Sequence, residues 1–199
     1  MKFVVLFFLV IIFSFTLAQG IFFINLFAQS EGDTLPDENF IDGSNCSDRS
    51  DGRLQVCENT TVLQFPDLVG NEGDDIIYGK FGLDRLYGME GNDVLDGGEN
   101  DDELYGGQGH DNLYGSLADD FLFGGKDNDV LVGYFGNDYI SGDSGADELY
   151  GDNGNDVLKG GPGPDYFDCG ADRDTVLDYK RQEGDILSQT CESIINKGV

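Results

Sequence analysis

Residues 106–114 read GGQGHDNLY and residues 160–168 read GGPGPDYFD. Both are copies of one nine-residue unit that runs from Gly70 to Leu177 in twelve tandem repeats, without insertion or deletion. Position six is Asp in all twelve units, from Asp75 to Asp174. Position eight is apolar in all twelve, from Ile77 to Val176, and position one is Gly in every unit except the last, where Cys169 stands. A period of nine with fixed chemistry describes a solenoid, in which each unit buries its apolar residue only by stacking on its neighbours.

Each unit divides into a turn and a strand. Glycines at positions one and four allow backbone paths that a side chain would obstruct, so the first six residues are expected to curl. Positions seven to nine then form a short strand whose middle residue faces inward. Two units of opposite direction close a coil of eighteen residues, and 70–177 supplies about six such coils. The expected fold is all-β: a parallel β-roll with two facing ladders of aliphatic side chains.

Charge is the second constraint. The chain carries a net charge of −28 with only eleven Lys and Arg, which excludes nucleic acid as a partner because its phosphates would be repelled. Within 70–177 there are 26 acidic and five basic side chains, a net of −21. Twelve of the acids occupy one repeat position and stack in register. Such a column repels itself unless positive charge lies between the layers. The aliphatic ladders are too thin to offset both this repulsion and the ordering of 108 residues. A hard divalent cation held by Asp and turn carbonyl oxygens supplies the missing stabilisation. Calcium suits it better than magnesium, because calcium accepts six to eight oxygens in irregular geometry.

The units resemble the hemolysin-type (RTX, repeats-in-toxin) calcium-binding nonapeptide, G-G-x-G-x-D-x-U-x, and GGQGHDNLY and GGPGPDYFD match it at every defined place. The resemblance implies Ca2+ between turns of units two apart, held by position-six carboxylates and turn carbonyls. One stack of ligands would be Asp75, Asp93, Asp111, Asp129, Asp147 and Asp165. The other would be Asp84, Asp102, Asp120, Asp138, Asp156 and Asp174. Two stacks of six turns leave ten gaps, so ten ions are the geometric ceiling. Their charge nearly balances that of the repeats. Position four is occupied by Asn100, Asp127 and Asp172, which tolerate a left-handed backbone, and by Ala118, which should not. The weakest sites are therefore expected around Asp102, Asp120 and Asp138.

The flanks differ from the repeats. After Met1-Lys2, residues 3–28 are almost wholly apolar and suit a secretory signal peptide or an uncleaved membrane anchor. Lys2 before this run, and the acids after it, place the repeats outside the cell in either case. Any membrane contact would be through residues 3–28 alone. Residues 29–69 read as a linker and cap, with short strands at Leu54–Val56 and Val62–Phe65 and sequons at Asn45 and Asn59. Residues 178–199 lose the period, and Ile186-Leu187 and Ile194-Ile195 are expected to cover the open end. Four cysteines in an exported chain suggest disulfides, and proximity favours Cys46 with Cys57 and Cys169 with Cys191. Typical family members use a carboxy-terminal export signal and avoid cysteine, so the export route here departs from theirs.

Two surface readings stay open. Tyr87, Tyr105 and Phe123 should line up on successive strands beside Phe121 and Tyr139. They could shield the backbone, or form a flat platform for a surface glycan or protein. The sequence holds no H-E-x-x-H and no G-x-S-x-G motif, and no enzyme activity is expected. His110, the only histidine, falls at a variable turn position. The expectation is an extracellular calcium-binding protein that folds on its ions. A surface adhesin or envelope spacer is the alternative, and a fragment of a secreted hydrolase ranks last.

Overall fold

A computed structural model describes residues 55–58 and 67–195, with side chains from residue 67 onward. The apolar segment 3–28, the expected strand at Val62–Phe65, both sequons and the Cys46–Cys57 pairing lie outside the described residues.

The described strands, in chain order, begin with β1 (Gln55–Glu58), β2 (Asp67–Val69), β3 (Asp75–Phe81), β4 (Arg85–Glu90) and β5 (Val94–Glu99). The central run is β6 (Glu103–Gln108), β7 (Asn112–Leu117), β8 (Phe121–Lys126), β9 (Val130–Phe135), β10 (Tyr139–Ser144) and β11 (Glu148–Asn153). The last are β12 (Val157–Lys159), β13 (Tyr166–Asp168), β14 (Thr175–Val176), β15 (Ile186–Leu187) and β16 (Ser193–Ile194). Odd-numbered strands form one parallel sheet of eight and even-numbered strands the other. Register within the repeats is eighteen residues throughout, as in Leu86↔Leu104 and Leu95↔Leu113. This is the expected parallel β-solenoid.

Its core is the position-eight ladder. Ile77, Leu86, Leu95, Leu104, Leu113, Leu122, Leu131, Ile140, Leu149, Leu158, Phe167 and Val176 are fully buried, and Leu68 extends the even-sheet ladder by one rung. With side chains alternating in direction along each strand, the flanking residues at positions seven and nine stay at least partly exposed, Ser141 excepted.

Three features differ from the sequence expectation. Strands β4 to β11 are longer, running from position seven through position three of the next unit, so that only positions four to six turn there, whereas β12 and β13 keep the expected positions seven to nine. The reason lies in the glycines. Position one pairs within the strand, and the left-handed residues sit at positions two and four, for example Gly107 (φ 118°) and Gly109 (φ 124°). Position two keeps this conformation even where a side chain is present, as at Lys80, Met89, Ser116 and Tyr134. Secondly, the solenoid makes about seven turns rather than six. Residues 178–195 cover its end, with Tyr179 and Leu187 packed against the core, but not as a separate plug. Instead β15 pairs with β13 and β16 with β14, adding a further coil, on which Ile186, Ile194 and Ile195 remain exposed. The Cys169–Cys191 disulfide, with Cα atoms 4.9 Å apart, ties this coil to the repeats as expected.

Thirdly, Ala118 does take the left-handed backbone, at φ 84°. Its turn keeps the hydrogen bonds of the regular units, so the strain is carried rather than avoided. Relieving it should help. Ala118→Gly is expected to stabilise the calcium-loaded protein by about 1 kcal/mol, read as a higher urea midpoint. An unchanged or lower midpoint would show that the alanine methyl is better packed than the backbone is strained.

Candidate metal centre

All twelve position-six aspartates are buried, each no more than 2% exposed, although they are the most polar residues of the repeat. They form the two columns read from the sequence. Within each column, Oδ1 accepts the backbone N–H of the aspartate eighteen residues earlier, at 2.7–3.1 Å in the bonds from Asp75→Asp93 to Asp156→Asp174. This bond fixes the carboxylate plane and aims the second oxygen elsewhere.

That second oxygen decides what the column is for. From Asp93 to Asp174, all ten Oδ2 atoms are buried without a hydrogen-bond partner. A buried carboxylate oxygen left unpaired costs about 1–3 kcal/mol or more, and ten of them would undo a fold of this size. From Asp93 to Asp165, each Oδ2 lies over the position-one glycine of its own unit, and at most of these glycines a main-chain carbonyl of the next coil also converges. A Cβ built on Gly124 would lie 2.5 Å from Asp129 Oδ2 and 2.8 Å from the Gly142 carbonyl oxygen. On Gly151 it would lie 2.5 Å from both Asp156 Oδ2 and the Cys169 carbonyl oxygen. Position-one glycine is therefore required for space, not for a left-handed backbone. At Gly124 and Gly151 the nearest atoms around the cradle are a carboxylate oxygen and a carbonyl oxygen.

A profile of the RTX calcium-binding nonapeptide repeat, a block of four copies, matches residues 69–104, 78–113, 105–140, 114–149 and 141–176. The chain belongs to the RTX calcium-binding nonapeptide repeat family. A search among curated proteins finds no match to it.

The RTX cradles fit calcium by the chemistry of their donors. Among the described residues no three His, Cys, Asp or Glu side chains converge on one point. Each gap of an RTX column therefore offers two carboxylates, and backbone carbonyls must complete an all-oxygen shell, which is calcium's preference. The turn carbonyls are placed to do so. Those of Gly91, Ala118, Gly136 and Gly145 are directed along the stacking axis at the same turn one coil on. When bound, the ion would supply the positive charge that the columns lack.

Without it, burial raises the pKa of the RTX aspartates from Asp93 to Asp174. Burial pushes Asp120 and Asp129 up to about 8, and Asp93, Asp102, Asp156 and Asp165 up to about 7. Asp111, Asp138 and Asp147 rise to about 6, again chiefly through burial. The N–H bond to Oδ1 opposes the rise throughout, while neighbouring carboxylates such as Asp102 and Asp138 around Asp120 add to it. The folded, metal-free state thus binds protons that the unfolded chain, titrating near 4, releases. Its stability falls as pH rises from about 4 through about 8. In chelator, the RTX segment should accordingly show more β-signal by circular dichroism at about pH 5.5 than at about pH 8.5, and calcium should bind more weakly at the lower pH. A metal-free spectrum independent of pH would contradict the burial of these carboxylates.

Three elements of the centre were not read from the sequence. Asp185 extends the odd column by one member: Asp165 N–H bonds its Oδ1 at 3.2 Å, and Lys180 N–H satisfies its Oδ2 at 2.6 Å. Asp75 at the other end is satisfied in the same way by Asn71 N–H at 2.7 Å. The protein itself therefore closes both ends of this column. Position five builds a ladder along the turns, in which Asn92, Asn128 and Asn137 each accept the N–H of the residue eighteen ahead. His110 belongs to that ladder, with Nδ1 2.9 Å from the Asn128 carbonyl oxygen, and is exposed.

The aromatic row is also present. Tyr87, Tyr105 and Phe123 stack at 4.9 and 5.0 Å with interplanar angles of 5° and 8°, and Tyr139 tilts against Phe121 and Phe123. Their faces are spent on one another, which favours shielding of the strands over a flat platform.

Proposed function

We propose that this chain is an extracellular calcium-binding protein whose repeats fold as calcium enters the two aspartate columns. One observation carries the reading: ten carboxylate oxygens from Asp93 to Asp174 are buried in register without a donor. The ligands are the twelve position-six aspartates, and the ions number up to about ten. An extracellular site is supported by the Cys169–Cys191 disulfide, which suits an oxidising compartment, and by the apolar segment 3–28. Half-saturation would then fall at roughly 0.1–1 mM, the range of extracellular calcium modules. The protein's role is that of a calcium-set structural module and not of an enzyme, and residues 178–195 close its carboxy-terminal coil. Limited proteolysis tests this: cleavage within 70–177 in chelator should give way to protection in millimolar calcium. Equal cleavage in both would contradict it.

A further inference from the structure

The two edges of the roll are chemically unlike. The turns of units three, five and seven are polar at Glu90-Gly91-Asn92, Gln108-Gly109-His110 and Lys126-Asp127-Asn128. The turns of even-numbered units bring Leu83, Leu117 and Phe135 to the surface, and Phe121 follows directly on the turn of unit six. These four side chains are 42–55% exposed. Leu117 and Phe135 are register partners on adjacent strands and make one apolar step. A groove of about 320 Å³ is lined by the column aspartates Asp84 and Asp102, by Arg85, and by the side chains of Leu83 and Phe121. Between them lie Asp101 and Glu103, with Arg85 held by Glu103 at 3.1 Å.

We propose that this even-unit edge docks a basic amphipathic segment of a protein partner, laying a lysine or arginine side chain in the groove. The charge of the surface selects such a partner. The chain carries −28, and calcium at the buried columns would leave the outer acids Glu99, Asp101 and Asp119 uncompensated, while Glu103 is shared with Arg85. The groove suits a long cationic side chain: its methylene stem lies against Leu83 and the Phe121 ring, and its charged head reaches Asp101 and Glu103. The Leu117–Phe135 step receives the apolar face of the same segment. This inference rests on the calcium reading, because the coils bearing these residues are aligned only when the roll is folded.

The test uses the full chain in millimolar calcium and a fluorescein-labelled leucine–lysine amphipathic peptide, with an all-lysine peptide of equal charge as comparison. Saturable binding is expected, about tenfold tighter for the amphipathic peptide. Leu83→Ser with Phe121→Ser should weaken it about tenfold, and so should Leu117→Ser with Phe135→Ser. Asp101→Asn with Glu103→Gln should weaken it and reduce its salt dependence, whereas Glu90→Gln on the opposite edge should not. Circular dichroism of the same samples reads folding separately: lack of a calcium response in the parent protein would indict the folding account, not the docking edge. The proposal is overturned if no saturable binding occurs, or if all variants bind alike. Binding to phosphatidylserine vesicles through Leu117 and Phe135, with no peptide binding, would also overturn it.

Discussion

Replacing Asp129 by Asn should raise the calcium concentration needed for folding by about tenfold and, in chelator, make the protein more ordered rather than less. The opposite signs follow from the two oxygens of this side chain. Oδ1 accepts the Asp111 N–H at 2.8 Å, and an asparagine oxygen can keep that bond. Oδ2 is buried without a donor and faces the Gly142 carbonyl oxygen across the Gly124 cradle. An amide NH2 placed there removes a negative charge that burial and the neighbours Asp111 and Asp147 all disfavour, and it can donate to the carbonyl. The metal-free roll gains. The calcium-loaded roll would lose a carboxylate from the gaps that Asp129 borders in its column. Calcium titration followed by circular dichroism reads both effects. A substitution that lowered order with and without calcium alike would mean that Asp129 is a packing residue and not a ligand.

Gly124→Ala should be strongly damaging through a single added methyl group. Its Cβ would sit 2.5 Å from Asp129 Oδ2 and 2.8 Å from the Gly142 carbonyl oxygen, and neither can withdraw without breaking the ladder between coils. The expected loss is about 3 kcal/mol or more of calcium-loaded stability, together with weaker calcium uptake. Gly73→Ala is the control. Its Cβ would meet only Asn71 Oδ1 at 3.4 Å, and its backbone is not left-handed, so its urea midpoint should stay close to that of the parent. Equal effects of the two changes would show that lost glycine flexibility, rather than a filled cradle, governs the outcome.

Much of this was legible in the sequence because a solenoid repeats its chemistry with its geometry. The invariant aspartate and the apolar residue two places on gave the column and the core, and the eighteen-residue coil followed from both. The position-two backbone was not legible: Lys80, Met89, Ser116 and Tyr134 do not announce a left-handed conformation, and it is imposed by the pairing of coils. Nor was position-one glycine readable as the floor of a cradle, since the carboxylate that needs the space lies five residues on. The last coil was hidden by spacing. Asp185 follows Asp165 by twenty residues instead of eighteen, with the Lys180–Glu183 turn between them, so a strict nine-residue count passes over it. The apolar edge was missed for a different reason. Its members occur in units two, six and eight only, and a consensus treats such residues as noise.

Titrating calcium into chelator-treated protein while recording both bound metal and the far-ultraviolet circular dichroism addresses the main claim without any substitution. The account requires a cooperative gain of β-signal that parallels uptake of several ions per chain, approaching the ten donor-free carboxylate oxygens between Asp93 and Asp174. A full β-spectrum in chelator at neutral pH, unchanged by millimolar calcium and accompanied by no more than one bound ion, would contradict it.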